Sequence, residues 1–276
     1  MKEMWEDENS GLTIAAPTFN ATKVYDGANT VATVAAGELT GVAEGDIVTV
    51  NATATYDNAD VGNGKTITVS YTLSGADAGK YSAPAPTLLT TGEITAKALT
   101  IAVPAVASKE YDGTTTATVT AGALTGVVGS DTVTVSATGT FADANVGAGK
   151  TVAVAYTLAG AQAGNYTLAN DTATADITAI AIVGAELGLT APVIGEAPVT
   201  SSITGTGYTG TVNWTGTLDG DGKFQSGQVY TATVTLTPAT GYTLTGLLEN
   251  SFTNTSGGTV TNAVDSATVT VTFTTL

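Results

Sequence analysis

The sequence predicts an all-β protein made of three tandem immunoglobulin-like β-sandwich domains in an extended arrangement. Three observations support this fold class: the composition, a period of two in the apolar residues, and a motif set that occurs twice. Small and β-branched residues dominate, 33 residues are glycine, and aromatic residues make up only 6%. Runs of Glu, Lys and Gln that favour helices are absent, so the composition favours strands and tight turns.

Apolar residues alternate with Thr along several segments. This alternation predicts strands that bury one face and expose the other, as in a β-sandwich. The predicted inward positions are Val48, Val50, Ala52, Ala54, Tyr56, Ile67, Val69, Tyr71 and Leu73, then Tyr230, Ala232, Val234, Leu236, Ala267, Val269, Val271 and Phe273. A glycine-rich stretch at 61–64 separates two such segments and predicts an antiparallel hairpin.

A five-residue motif opens each half of the first two-thirds of the chain. It reads Lys-Val-Tyr-Asp-Gly at 23–27 and returns as Lys-Glu-Tyr-Asp-Gly at 109–113. Further matches keep the same order: 12–15 with 99–102, 39–42 with 124–127, Asp46 with Asp131, 61–65 with 146–150, 71–75 with 156–160, and 78–81 with 163–166. A period of this length corresponds to whole domains rather than to solenoid units.

The repeats define the predicted domain boundaries. Residues 1–10 form an acidic leader, 11–96 and 97–179 form the two related domains, and 180–276 form a third, different domain. The joins between the domains lack Pro, Gly or Ser linkers, so we expect a stiff row of domains.

The residue types that are missing exclude several function classes. The chain has no Cys and no His, and its eight basic residues are all Lys, which removes thiolate zinc sites and the commonest general base. A net charge of −16 argues against binding to nucleic acid or to anionic membranes. No apolar run is long enough to insert into a membrane. We therefore expect a protein that is not an enzyme and has no cofactor.

The first two domains resemble the YDG repeat of bacterial surface proteins and large adhesins. The resemblance rests on the Lys-x-Tyr-Asp-Gly motif, the Leu-Thr-Gly-Val step and the Val-Gly-x-Gly-Lys turn. The third domain is similar to another repeat of bacterial cell-surface proteins. The resemblance implies a non-enzymatic structural stalk segment of a cell-surface or secreted adhesin. The acidic start lacks the apolar region of a signal peptide, so an extracellular location implies that the chain is a fragment of a larger exported protein.

The signature residues have a structural interpretation. Asp26-Gly27 and Asp112-Gly113 follow Tyr25 and Tyr111, and they fit turns in which Asp binds backbone N–H groups and Gly adopts a positive φ.

Lys23 and Lys109 precede these turns at equivalent positions. They could form an amide crosslink to a neighbouring Asn or Asp, which would resist pulling in a chain without disulfides. The simpler alternative, which we prefer, is a lysine at a strand end whose ammonium reaches solvent.

Acidic runs raise the question of calcium. Asp57, Asn58 and Asp60, their counterparts Asp143 and Asn145, and the run at 219–223 offer oxygen ligands. They lack the spacing of an EF-hand and a distal bidentate Glu. Turns closed by Asx hydrogen bonds are the preferred interpretation.

Two alternatives to a stalk remain open. The third domain could be a binding module for a host or cell-surface protein or a glycan, with Tyr208, Trp214 and Tyr242 as its contacts; Trp214 is also expected to anchor the core of this domain. The chain could also be a filament subunit in which a terminal strand completes the sheet of another copy.

Overall fold

The computed structural model describes residues 11–274, and the predicted acidic leader lies outside them. About 47% of the residues are in strands, and no α-helix occurs between residues 11 and 274. The prediction of an all-β protein is therefore confirmed. Within the same residues, no helix is long and apolar enough to cross a membrane.

The chain forms two compact units. The first unit contains the residues up to Pro104 together with Thr120–Ala137 and Ala155–Asn170. The second unit contains Ala105–Val119, Thr138–Val154 and the residues from Asp171 onward. The second repeat therefore contributes residues to both units.

Short strands and two 3₁₀-helical turns make up the related repeats. The first repeat contains β1 (Thr13–Ile14), β2 (Thr18–Phe19), β3 (Thr22–Val24), β4 (Val34–Ala35), β5 (Leu39–Thr40), β6 (Thr49–Tyr56), β7 (Gly62–Ser74), the turn Ala78–Lys80 and β8 (Thr87–Thr95). The second contains β9 (Lys97–Ala98), β10 (Thr100–Ile101), β11 (Ala105–Val106), β12 (Lys109–Glu110), β13 (Thr116–Ala117), β14 (Val119–Thr120), β15 (Leu124–Thr125), β16 (Thr134–Phe141), β17 (Gly147–Ala159), the turn Ala163–Asn165, β18 (Tyr166–Thr167) and β19 (Asp171–Thr178).

The remaining residues contain seven strands. They are β20 (Ile180–Ala181), β21 (Ile203–Gly205), β22 (Tyr208–Thr215), β23 (Tyr230–Pro238), β24 (Tyr242–Thr243), β25 (Thr259–Asn262) and β26 (Thr268–Phe273).

The main sheet of the first unit has the strand order β3-β8-β7-β6. β6 and β7 are antiparallel, as the hairpin prediction requires. β3, in contrast, is parallel to β8, with Lys23 opposite Ile94. A strand near the start of the repeat thus lies beside the last strand of the same repeat. Short strand pairs also belong to this unit: β1 with β5, β2 with β4 and β10 with β15 are antiparallel, and β9 with β18 is parallel.

The second unit contains most of one five-stranded sheet and the whole of another. One has the order β12-β19-β17-β16-β13, and it repeats the parallel pairing of the first unit, with Lys109 opposite Ile177. The other has the order β21-β22-β23-β26-β25 and is antiparallel throughout. A short parallel pair, β20 with β24, also belongs to this unit.

The predicted turn at 61–64 differs in detail from the structure. Gly62 and Gly64 belong to the start of β7, where the register with β8 shifts between Asn63 and Lys65. Gly64 has a φ of +65°, which is typical of a β-bulge. The turn itself lies just before, at 57–61, where the side chains of Asp57 and Asn58 accept backbone N–H groups.

The cores follow the predicted alternation. In the first unit, Tyr56, Ile67 and Val69 are buried, and the Thr residues between them face outward or are half-buried. In the sheet of β21–β26, Val234 and Val269 are fully buried on neighbouring strands. Trp214 packs against this second core and stacks on Phe273, with ring centroids 5.6 Å apart. Aliphatic side chains thus make up most of the buried set, and Tyr56, Tyr208, Tyr230 and Phe141 are its largest members.

We expect Val234→Ala to destabilise the second unit, because Val234 is completely buried and its loss leaves a cavity. The expected cost is roughly 2 kcal/mol. Native-state hydrogen exchange of the β22–β23–β26 amides measures this free energy. Thr235→Ala is the matched control on the adjacent exposed position, and equal effects of the two substitutions would contradict the assigned core.

Candidate functional site

Each Tyr-Asp-Gly motif lies directly after the strand that pairs in parallel with the last strand of its repeat. Tyr25 donates its backbone N–H to Thr95 O, and Tyr111 donates its own to Thr178 O, both at 2.9 Å. The pairing of β3 with β8 and of β12 with β19 therefore fixes where each motif begins. We call residues 25–30 and 111–116 the YDG loops.

A lysine ammonium holds the first YDG loop in shape. Lys23 Nζ lies 2.6 Å from Asp26 Oδ1 and donates to the carbonyl oxygens of Ala28 and Thr30 at 2.7 and 3.2 Å. It also lies 5.8 Å from the centroid of the Tyr56 ring. These groups surround the ammonium with one carboxylate, two carbonyls and an aromatic face, which together offset its partial burial.

The second YDG loop repeats this arrangement. Lys109 Nζ lies 2.7 Å from Asp112 Oδ1 and 2.8 Å from Thr114 O, and 5.6 Å from the ring of Phe141. The hydrogen bond from Lys109, followed by those from Thr114, lowers the pKa of Asp112 to about 2. The amide crosslink at Lys23 or Lys109 stays an untested alternative. The contacts present are ion pairs and hydrogen bonds.

Asp and Gly shape the turn itself. Asp26 Oδ1 accepts the N–H of Ala28 at 2.9 Å, and Asp112 Oδ1 accepts that of Thr114 at 2.8 Å. Gly27 has a φ of +80°, and a Cβ at this position would lie 3.1 Å from Val128 Cγ1. Gly27 is therefore required by the turn, and a Cβ here would also crowd Val128 of the second repeat by a few tenths of an ångström.

Within the first unit, Tyr25 of the first YDG loop contacts residues of the second repeat. Its hydroxyl donates to Asp131 Oδ2 at 2.8 Å, and its ring meets Tyr166 edge-on with centroids 5.3 Å apart. Tyr166 donates to the same Asp131 oxygen at 2.5 Å and accepts the N–H of Val128 at 2.9 Å. We call Val128, Asp131 and Tyr166 the socket of the second repeat.

A second pair of hydrogen bonds lies beside this socket. Asn165 Oδ1 accepts the N–H of Val61, and Asn165 Nδ2 donates to Asp60 Oδ1, at 2.9 and 3.0 Å. Asn165 is buried, so both ends of its amide are satisfied by the first repeat. We refer to the contacts of Tyr25 and Asn165 together as the joint.

Burial raises the pKa of Tyr25 to about 12, and its hydrogen bond to the Asp131 carboxylate acts in the same direction. The pKa of Tyr166 is also raised, chiefly by burial and then by its bond to Asp131. Both phenols therefore stay neutral and act as donors over the physiological range of pH. A carboxylate that accepts hydrogen bonds from two phenols forms strong, directional contacts.

In the second unit, Tyr111 packs on the backbone at Gly241. A Cβ at Gly241 would lie 2.0 Å from the Tyr111 ring, so only glycine permits this contact. Gly241 also has a φ of +85° and its carbonyl accepts the N–H of Ile180 at 2.9 Å. Both YDG tyrosines thus contact residues that follow their own repeat in the chain.

The acidic runs considered for calcium hold lysine ammonium groups. Lys65 is buried, with Nζ 3.1 Å from Asp57 Oδ1 and 2.6 Å from Asn58 Oδ1. Lys150 Nζ lies 2.6 Å from Asp143 Oδ1. An ammonium therefore already binds an acidic side chain in each of these two runs.

The run at 219–223 closes a turn on itself. Asp219 Oδ1 accepts the N–H groups of Asp221 and Lys223 at 3.0 and 2.8 Å. Within residues 11–274, no three acidic side chains lie together in a way that could hold a metal ion.

The three aromatic residues proposed as ligand contacts differ in exposure. Tyr208 is 2% exposed and meets Phe252 edge-on in the core, so it offers no surface to a ligand. Trp214 and Tyr242 are half-buried against the same core. Trp214 uses its indole N–H to bind Val199 O at 2.8 Å. All three rings pack in or against the same core cluster.

Sequence reasoning did not assign roles to the residues that complete the joint. Asp131 and Tyr166 were visible as repeated positions, and Asn165 as a position that differs from Lys80. Tyr25 and Asp131 are more than 100 residues apart, and so are Asn165 and Asp60. No local sequence pattern therefore connects these partners. The signal that could have found them was the recurrence of Asp and Tyr without an evident role inside a single repeat.

The fold and the joint define a protein of tandem β repeats that contact one another through a Tyr-Asp-Gly loop. The YDG domain family matches the sequence twice, at residues 9–88 and 95–175, and the chain belongs to this family. Searches among curated proteins and among solved structures found no match.

We expect acid to weaken the second YDG loop. The pKa of Asp112 is about 2 in the folded chain, below its ordinary value of 3.8. The stabilisation from the ionised carboxylate is therefore present above pH 3.8 and is lost as the pH falls towards 2. Hydrogen exchange of the Thr114 amide across this window measures the loss. In Asp112→Asn the same window should be flat, and a parallel fall in both proteins would contradict the assignment.

We expect Tyr25→Phe to destabilise the joint by about 1.5 kcal/mol, because a hydrogen bond to a carboxylate is lost. Exchange of the amides near Val128 and Asp131 measures this change. In the native protein the joint should also weaken between pH 10 and about 12. Over that range the unfolded chain releases the Tyr25 proton while the folded chain keeps it.

Tyr81→Phe is the matched control. Tyr81 also donates to an Asp, but both groups lie in the first repeat. It should leave the amides of the second repeat unchanged. If amide protection in Tyr25→Phe fell between pH 10 and about 12 as it does in the native protein, Tyr25 would not be the titrating group.

Proposed function

We propose that the chain is a non-enzymatic structural stalk segment of a bacterial cell-surface or secreted adhesin, built from immunoglobulin-like sandwiches in an extended row. The observation that carries the proposal is the joint, in which Tyr25 and Asn165 bind the neighbouring repeat. A passive spacer needs repeats that are fixed to one another. It does not need a cavity or a reactive group.

The polar chemistry of the described residues favours the same interpretation. The acidic side chains at the motif positions are engaged by lysines and backbone N–H groups, for example Asp26 by Lys23 and Asp143 by Lys150. A catalytic acid needs an environment that raises its pKa, whereas the pKa of Asp143 is lowered, first by its hydrogen bond to Lys150. These Asp and Lys side chains thus stabilise the local loop structure.

The strong negative charge suits this role. A net charge of −16 makes copies repel one another, which keeps surface stalks soluble and separate. Partners at the far end of such a stalk would be a host or cell-surface protein or a glycan. In this proposal the described residues supply reach and leave recognition to other domains.

Small-angle scattering tests the stalk. A compact globule of this length has a radius of gyration of about 19 Å, and a stalk should give a clearly larger value with a long maximum dimension. Tyr25→Ala combined with Asn165→Ala should broaden the distance distribution, because both parts of the joint are removed. Thr53→Ala, on an exposed strand position, is the control. A native radius of gyration near that of the globule would overturn the proposal.

A further inference from the structure

The first repeat has its own copy of the socket. Tyr81 donates its hydroxyl to Asp46 Oδ2 at 2.7 Å and accepts the N–H of Ala43 at 2.9 Å. These are the bonds that Tyr166 makes to Asp131 and to the N–H of Val128 in the second repeat. The two sockets therefore share their acceptor, their tyrosine and their backbone donor.

The bound socket shows what such a site accepts. Asp131 Oδ2 accepts hydrogen bonds from two phenols at once, Tyr166 and Tyr25 of the preceding repeat. Asp46 Oδ2 binds Tyr81 in the same way, and a carboxylate oxygen can accept two hydrogen bonds. Asp46 thus has the capacity to bind a second phenol.

The surroundings of the two sockets differ in a systematic way. Lys80 stands where the second repeat has Asn165, and its ammonium binds Asp46 and Asp77 at 2.8 and 2.9 Å. Ala43 replaces Val128, which makes the apolar part of the surface smaller. The side chain of Lys80 is 53% exposed, so it can turn towards an incoming group at little cost.

Lys80 accepts a different partner loop from the one that Asn165 accepts. Asn165 both donates to Asp60 and accepts the N–H of Val61, whereas a lysine can only donate. A loop that carries a carboxylate at the position of Asp60 therefore suits Lys80. The YDG tyrosines of this chain are engaged elsewhere, Tyr25 on Asp131 and Tyr111 on Gly241.

We propose that Asp46, Lys80 and Tyr81 form a docking surface for the YDG loop of a further YDG domain, one that carries an acidic residue at the position of Asp60. This inference rests on the proposed function and deepens it, because it names the partner of the stalk at this face. The contact should depend more on charge than the joint does, since Lys80 replaces a buried amide and Ala43 a valine.

The test inserts a second copy of residues 12–98 before Leu12 in the full chain. This junction reproduces the native one, because Leu12 and Leu99 are equivalent. The inserted repeat supplies its own tyrosine and aspartate at positions 25 and 60. A double-mutant cycle combines Tyr25→Phe in the insert with Asp46→Asn in the next repeat. Asp46→Asn keeps an acceptor for Tyr81, so the repeat should remain folded.

The readout is hydrogen exchange of the amides around Ala43. We expect each substitution to lower protection about tenfold, and the double variant to be no worse than the single ones. The native pair, Tyr25 and Asp131, gives the reference coupling. A second cycle, Asp60→Asn in the insert with Lys80→Asn, should show coupling at low salt that fades in 1 M NaCl.

Additive effects of the insert substitutions, with a clear native coupling, would overturn the docking surface and show that Lys80 closes the socket. The proposed stalk would survive that result. Absence of the native coupling would overturn the joint itself, and the docking surface with it.

Discussion

The lysine that precedes each Tyr-Asp-Gly motif is the contact on which the site depends. Its ammonium donates hydrogen bonds to one carboxylate and to one or two carbonyl oxygens of the loop that follows it. Without a cation at this point, the part-buried carbonyl of Ala28 would lose its partner, at a cost of roughly 1–3 kcal/mol. With Lys23 in place, the loop is closed by these contacts, and the Tyr25 hydroxyl reaches Asp131.

The sequence was informative wherever the physics is local. A period of two identified the inward faces of β6, β7 and β23, because successive strand residues point to opposite sides. Asp-Gly in the motif indicated a turn, which Asp26 and Gly27 form. The hairpin of β6 and β7 was also predictable, although a bulge at Gly64 moved its turn a few residues towards the N-terminus.

Contacts between distant residues could not be predicted in this way. The parallel pairing of β3 with β8 joins segments about 70 residues apart, and neither segment has a pattern that distinguishes a parallel neighbour from an antiparallel one. The same holds for Asp131, whose role depends on a tyrosine in another repeat. Tyr208 illustrates a different difficulty: a tyrosine beside glycines suggests an exposed ring, yet this one fills the core.

The parallel neighbours β3 and β8, like β12 and β19, determine how a repeat responds to tension. Force transmitted along the chain enters at the start of one strand and leaves at the end of the other. Because the two strands run side by side in the same direction, their hydrogen bonds are loaded together in shear and cannot be unzipped one at a time. Under such a load these bonds would have to break together, so in the proposed stalk each parallel pair would act as a mechanical clamp.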